Sequence, residues 1–259
     1  MSKKRQTRRV PTPPIAPDVV VRSFAVRHFE DHVIPSHAHD WNQLIYASEG
    51  VLWVHTAEGD WVVPPNRAVW VPAGIEHGIE MTGKVLVQTI YLVAGISGEL
   101  PSHCCAVNVS PLLRELILHT VKLGVLDRND PSRARMIAFL MDQLSTVPAI
   151  PLQLPLPVDE RAMRTVRWLR AHPHDPGLIK SVSRRAGTSA RTLERIFFKE
   201  TGMTFGKWRQ QLRLLQAMRM LAAGRAVTAV ALDVGYDSPS AFIAMFKRTL
   251  GTTPRQYFA

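Results

Sequence analysis

Cysteine is nearly absent: 259 residues hold two, Cys104 and Cys105, side by side in the chain. Adjacent thiols cannot frame a set of disulfides. A reducing cytoplasm is the expected compartment, and both thiols read as inert packing rather than redox or metal groups. Long apolar runs are missing too. No stretch approaches the roughly eighteen uninterrupted apolar residues of a membrane span, so no membrane partner is expected. The start, MSKKRQTRRVPTPP, has the basic flank of an export signal without the apolar segment that should follow it. Residues 1–17 are therefore read as a disordered basic arm. Acidic residues are scarce at the other end: residues 158–259 carry eighteen basic and seven acidic side chains, against four basic and ten acidic in 18–100. The basic segment suits a polyanion; the acidic one does not.

What is present divides the chain. Between Val19 and Val93 lie short β-rich runs, among them VVVRSFAVRHF, VLWVHTA, AVWVPAG and VLVQTIYLV, separated by turns such as Glu58-Gly59-Asp60 and Ala73-Gly74. That pattern predicts a small antiparallel barrel or sandwich over 18–100. Two amphipathic helices follow within 101–147. Leu112, Leu113, Leu116, Ile117, Thr120 and Leu123 stripe the first; Met136, Ile137, Leu140, Met141 and Leu144 stripe the second. The stripes serve either to pair two copies into a dimer or to pack onto the barrel. Prolines at 148, 151, 155 and 157 then exclude a helix and predict a semi-rigid linker over 148–157. From 158 to 259 everything reads as helix, so the fold class is α+β in two domains.

The last hundred residues repeat at an offset of 49. Ser189 falls on Ser238, Leu193 on Phe242, Phe197 on Phe246, Lys199 on Arg248, Gly202 on Gly251 and Thr204 on Thr253. Each copy is a short helix, a turn at Gly187 or Gly235, then a second helix: helix-turn-helix, present twice. Between the copies, 204–223 reads as one continuous helix roughly 30 Å long. That nearly matches the roughly 34 Å between equivalent major-groove positions one turn apart. Within the second helix of the first copy, Leu193, Ile196 and Phe197 make an apolar set that must face inward, leaving Ala190, Arg191, Glu194, Arg195 and Phe198 outside.

These residues carry a resemblance. AGTSARTLERIFFKETGMT, VTAVALDVGYDS with FIAMFKR, and the closing GTTPRQYF together resemble the AraC/XylS family of bacterial transcription regulators across the whole of 158–259. The resemblance implies that the second helix of each copy enters the major groove. It places Arg191, Glu194 and Arg195 nearest the bases, where arginine can fork onto guanine and glutamate can accept from cytosine. A surface Glu–Arg pair holding only phosphate is the alternative. Ser189, Ala190 and Lys199 complete the expected contact set of the first copy. The second copy departs from the family: Ser240, Ile243 and Ala244 stand where relatives often carry polar or basic groups, with Lys247 and Arg248 left for phosphate. A stringent first half-site and a tolerant second one are expected. Arg161, Arg164, Arg167 and Arg170 wind around a preceding helix and read chiefly as a solvated face.

The N-terminal segment resembles a cupin, the barrel many family members use to sense small molecules. In SHAHDWNQLIYASEG, His37 and His39 stand at the metal-ligand positions, Gln43 at the usual glutamate position, and Gly50 follows at the right spacing. A second signature survives as Pro72, Gly74 and His77, with Asn66 and Met81 as departures. If 36–43 is one strand, His37, His39, Trp41 and Gln43 share a face. Three readings are open: a Zn²⁺, Ni²⁺ or Fe²⁺ ion held by His37, His39, His77 and Gln43, an organic effector lined by these residues with Trp41 and Trp53, or histidines that serve the barrel's structure alone. Trp61 and Trp70 are expected in the same region. No cofactor is certain from the sequence.

The reading is a cytoplasmic, non-enzymatic transcription regulator governed by a small-molecule or metal effector. Its expected partners are double-stranded promoter DNA, the effector, RNA polymerase and a second copy of the chain. The alternative is a metal-dependent cupin enzyme with an accessory nucleic-acid-binding domain.

Overall fold

The computed structural model describes residues 8–9, 18–65, 67–95, 100–145, 153–175 and 178–258. The chain divides into two compact units, 1–153 and 154–259.

The first unit is two facing sheets. Strands β1 (Arg8–Arg9), β3 (His32–Ala38), β8 (His77–Met81), β5 (Leu52–Thr56) and β6 (Gly59–Val63) lie side by side in one. Strands β10 (Cys105–Asn108), β7 (Arg67–Val71), β4 (Trp41–Glu49), β9 (Val85–Val93), β2 (Val19–His28) and β11 (Val125–Asp127) make the other. All pairings but the parallel β1–β3 are antiparallel where the register is defined. Between the sheets pack Ile45, Ala47, Leu52, Val54, Trp61, Val69, Val71, Ile79, Met81 and Val87. Gly50, the cupin glycine, turns β4 into β5 at φ 76°, and a Cβ there would sit 2.3 Å from the Lys84 carbonyl oxygen. No other residue fits that corner. Most of the basic arm lies outside the described residues; Arg8 and Arg9, expected to be disordered, instead pair with His37 and Ala38.

Helices α1 (Pro111–Leu123) and α2 (Pro131–Ser145) cover the outer face of the second sheet. Strand β4 is consequently buried on both sides: Ile45 and Ala47 face the barrel core, while Leu44 and Tyr46 face Leu113, Ile117, Ile137 and Leu140. Much of each helical stripe is thus spent on the barrel. Leu112, Leu123 and Phe139 remain exposed.

The second unit is helical. The proline-rich segment is not all linker: Gln153–Pro155 is a short strand, β12, and the Pro155 carbonyl accepts from Trp208 Nε1 at 2.8 Å. Helices α3 (Glu160–Ala171), α4 (Ile179–Arg185) and α5 (Ala190–Thr201) lead into α6 (Phe205–Ala222), followed by α7 (Val227–Asp233), α8 (Pro239–Leu250) and α9 (Pro254–Tyr257). The 49-residue repeat is written into the caps. Ser189 and Ser238 accept from the backbone N–H of Thr192 and Ala241, Gly202 and Gly251 close α5 and α8 in the left-handed region, and Thr204 and Thr253 cap the helices that follow. Leu193, Ile196 and Phe197 are buried, as are Phe242, Met245 and Phe246.

Candidate metal centre and nucleic-acid interface

The segment 36–43 is not one strand. His37 lies one residue before the end of β3 in one sheet, Gln43 lies in β4 of the other, and His39 sits on the crossing between them. The groups still converge, because the crossing is short and His37 pairs directly with His77 of β8. All four side chains are buried.

Each imidazole is oriented by a carbonyl two residues away. Nδ1 of His37 lies 2.9 Å from Pro35 O, that of His39 2.7 Å from Trp41 O, and that of His77 2.9 Å from Ile75 O. A carbonyl only accepts, so each Nδ1 carries a proton and Nε2 is the nitrogen through which each ring can act as a ligand. Burial is the chief reason that His77 is pushed down to about 4, which keeps that ring neutral near pH 7. One ligand atom from each ring lies within 4.8 Å of the others. Tetrahedral zinc needs about 3.4 Å between nitrogens, given bonds of about 2.1 Å, so small side-chain rotations close the set.

Gln43 completes the cluster. Its Oε1 lies 2.9 Å from His39 Nε2 and 3.0 Å from His77 Nε2, while its Nε2 donates to Thr89 Oγ1 and the Tyr91 hydroxyl. Lone pairs facing an amide oxygen repel unless a cation lies among them. The amide turned over would instead donate to both rings and accept from Thr89 and Tyr91, leaving nothing unpaired. The same four residues therefore form a three-nitrogen, one-oxygen metal set or a closed hydrogen-bond network. The residues present suit a divalent ion.

The tryptophans scatter. Trp41 shares the face of Gln43 on β4. Trp53, expected in the pocket, alternates with Leu52 and Val54, which face the core, and so lies on the far side of β5, stacked near His55. Trp61 is barrel core, and Trp70 lies beneath the helices with its Nε1 on the Pro101 carbonyl. Cys104 is buried and its thiol is pushed up to about 12 by that burial, so it stays protonated. Sequence reasoning missed Thr89 and Tyr91, although their i, i+2 spacing in VLVQTIYLV puts both on one strand face.

In the helical unit, Ser189, Arg191, Arg195 and Lys199 are exposed along α5, with Ala190 half-buried. Glu194 is half-buried, and its carboxylate accepts from the Phe205 N–H at the start of α6, a structural bond the spacing did not reveal. On α8, Ser240, Ala244, Lys247 and Arg248 are exposed and Ile243 is half-buried. The arginines of α3 are less free than a solvated face implies. Arg161 pairs with Asp159, Arg167 with Glu160, and Arg164 donates to the Ala186 carbonyl at the end of α4. Arg209 of α6 is buried and donates to the Asp175 carbonyl. Burial pushes it down to about 10, still charged at neutral pH.

The AraC-like ligand binding domain model matches residues 23–154, and a helix-turn-helix domain model matches 182–259. The chain belongs to the AraC-type transcriptional regulators. The regulator is 36% identical over 225 residues to the HTH-type transcriptional regulator NimR of Escherichia coli K12, covering 87% of this chain and 82% of that one. It is 28% identical over 211 residues to RipA of Corynebacterium diphtheriae, covering 80% of this chain and 59% of that protein. The DNA-binding domain of AdpA, solved with a target DNA, aligns over 39% of this chain and 91% of its own at 33% identity and a TM-score of 0.37. The regulator thus joins a ligand-binding barrel to a double helix-turn-helix that binds DNA. Among the described residues, no helix is long and apolar enough to cross a membrane.

On the exposed face of α5, Arg195→Ala should weaken binding to the preferred duplex by about 1–3 kcal/mol and relax preference at one or two base pairs. Fluorescence anisotropy on a panel of singly substituted duplexes checks it. An equal loss on every duplex would make Arg195 a phosphate contact.

Proposed function

We propose that the regulator's barrel is a metal-centred sensor in which His37, His39, His77 and Gln43 hold a divalent ion and a small-molecule effector binds beside it. The carrying observation is the orientation of the three rings: each spends Nδ1–H on a backbone carbonyl and turns its Nε2 toward the others. Purified protein should carry close to one equivalent of Zn²⁺, Ni²⁺ or Fe²⁺, and His37→Ala should carry essentially none. Elemental analysis decides it; equal metal in both proteins, or none in either after reconstitution, sinks the reading.

Around that centre we place a cytoplasmic, non-enzymatic regulator that acts on promoter DNA with RNA polymerase as the downstream partner. The names of the relatives support regulation over catalysis; turnover by the metal-loaded protein would favour the enzyme reading. A homodimer is supported by the exposed Leu112, Leu123 and Phe139 on α1 and α2, which lie outside the barrel contact. Effector control works through differential affinity for two states, a few kcal/mol at most.

A further inference from the structure

Resting on the metal reading above, we infer that the barrel's effector is a small anion with an apolar body, its oxygen donor completing the coordination of the held ion. Three observations lead there.

The first is charge. Three imidazoles and an amide are all neutral, so a divalent ion held by them keeps its full charge inside a buried site. The cupin glutamate that would remove one unit is replaced by Gln43. Gln43's other partners, Thr89 and Tyr91, are neutral as well. Asp60, the buried carboxylate of this unit, and Glu80 are both engaged with His55. Asp40 and Glu76, next in sequence to the histidines, are exposed. A buried net charge is costly unless an opposite charge reaches it; among the described residues no carboxylate belongs to the ligand group, so the balancing charge falls to a bound anion.

The second is coordination. Four donors satisfy a tetrahedral structural ion, but Ni²⁺ and Fe²⁺ accept more, and zinc expands to five. A donor can be added without displacing a histidine.

The third is the surface beside the set. Phe24 pairs across β2 and β9 with Thr89, and Val26 with Val87, so both face the barrel interior like their partners. Yet Phe24 is 48% exposed and Val26 40%. Phe24's ring lies 5.9 Å from that of Tyr91, which lies 5.1 Å from that of His39. Apolar surface thus runs from the open side of the barrel to the histidines, suited to a flat hydrocarbon body. Charge alone would admit acetate; this surface favours an arene carboxylate.

The test uses the full chain reconstituted with Co²⁺, with acetate and benzoate as probes, read by calorimetry and by the visible spectrum of the ion. Benzoate should bind about tenfold more tightly than acetate, and each should change the spectrum. Phe24→Ala, an exposed position, should remove that difference. Gln43→Glu should hold Co²⁺ yet bind benzoate at least about tenfold more weakly, because the site's charge falls by one unit. Anion binding that is equal with and without Co²⁺, absent in the loaded protein, or unchanged by Gln43→Glu overturns the inference while leaving the metal reading intact. Failure of Co²⁺ to bind overturns both.

Discussion

Phe197→Ala is expected to unfold the DNA-binding unit under mild stress and abolish duplex binding. Phe197 is fully buried, with its ring 5.2 Å from Phe205 and 5.0 Å from Trp208 in edge-to-face arrangements. It joins α5 to the long α6, so no neighbouring chain end can relax into the vacated space. Truncation of such a ring costs about 3–5 kcal/mol. A domain of about a hundred residues has only about 5–15 kcal/mol in hand. The melting temperature of that unit should fall by roughly 12 °C or more. Differential scanning calorimetry and anisotropy with duplex DNA test both statements, and circular dichroism should show the β-rich unit retained. A shift of a degree or two with DNA binding preserved would mean that α5 and α6 are not coupled through this ring.

The second large effect is the salt dependence of DNA binding. Arg191, Arg195, Lys199, Lys247 and Arg248 are exposed on α5 and α8. Each phosphate neutralised adds about 0.9 to the slope of log affinity against log salt. With Arg191 and Arg195 on the bases, Lys199, Lys247 and Arg248 are left for phosphate, and about three such contacts predict an affinity loss of about 10–100-fold between 50 and 200 mM salt. Lys247→Ala with Arg248→Ala should flatten the slope by nearly two, with little change in preference among sequences, because phosphate contacts position the protein without reading bases. Slopes that match the parent protein would move those two side chains off the duplex.

The helical half was legible because its information is local. Caps, turn glycines and the three-four spacing of Leu193, Ile196 and Phe197 are each decided within a few residues, and the 49-residue offset repeats them. The barrel was legible as strands and as a set of histidines, but not as geometry. Nothing in SHAHDWNQ says that the chain changes sheet between Ala38 and Trp41. Trp53 was misplaced because its composition was weighed ahead of its alternation with Leu52 and Val54. Glu194, Arg164 and Arg209 were missed for another reason: each bonds to a backbone group 11, 22 or 34 residues away. Charge on a helix reads as solvent-facing until tertiary packing gives it a carbonyl or an N–H to hold. The stripes on α1 and α2 had two possible uses, and only the position of β4 beneath them shows that the barrel consumes the larger share.

One consequence of the repeat concerns how readily its two halves can be rewritten. Positions that hold the frame coincide across the offset, as does the exposed basic pair Lys199 and Arg248, whereas three others do not: Arg191 stands against Ser240, Glu194 against Ile243, Arg195 against Ala244. The later copy keeps the mounting of the earlier one but carries Ser240, Ile243 and Ala244 where the earlier one is charged. New side chains can be set there without recasting that mounting.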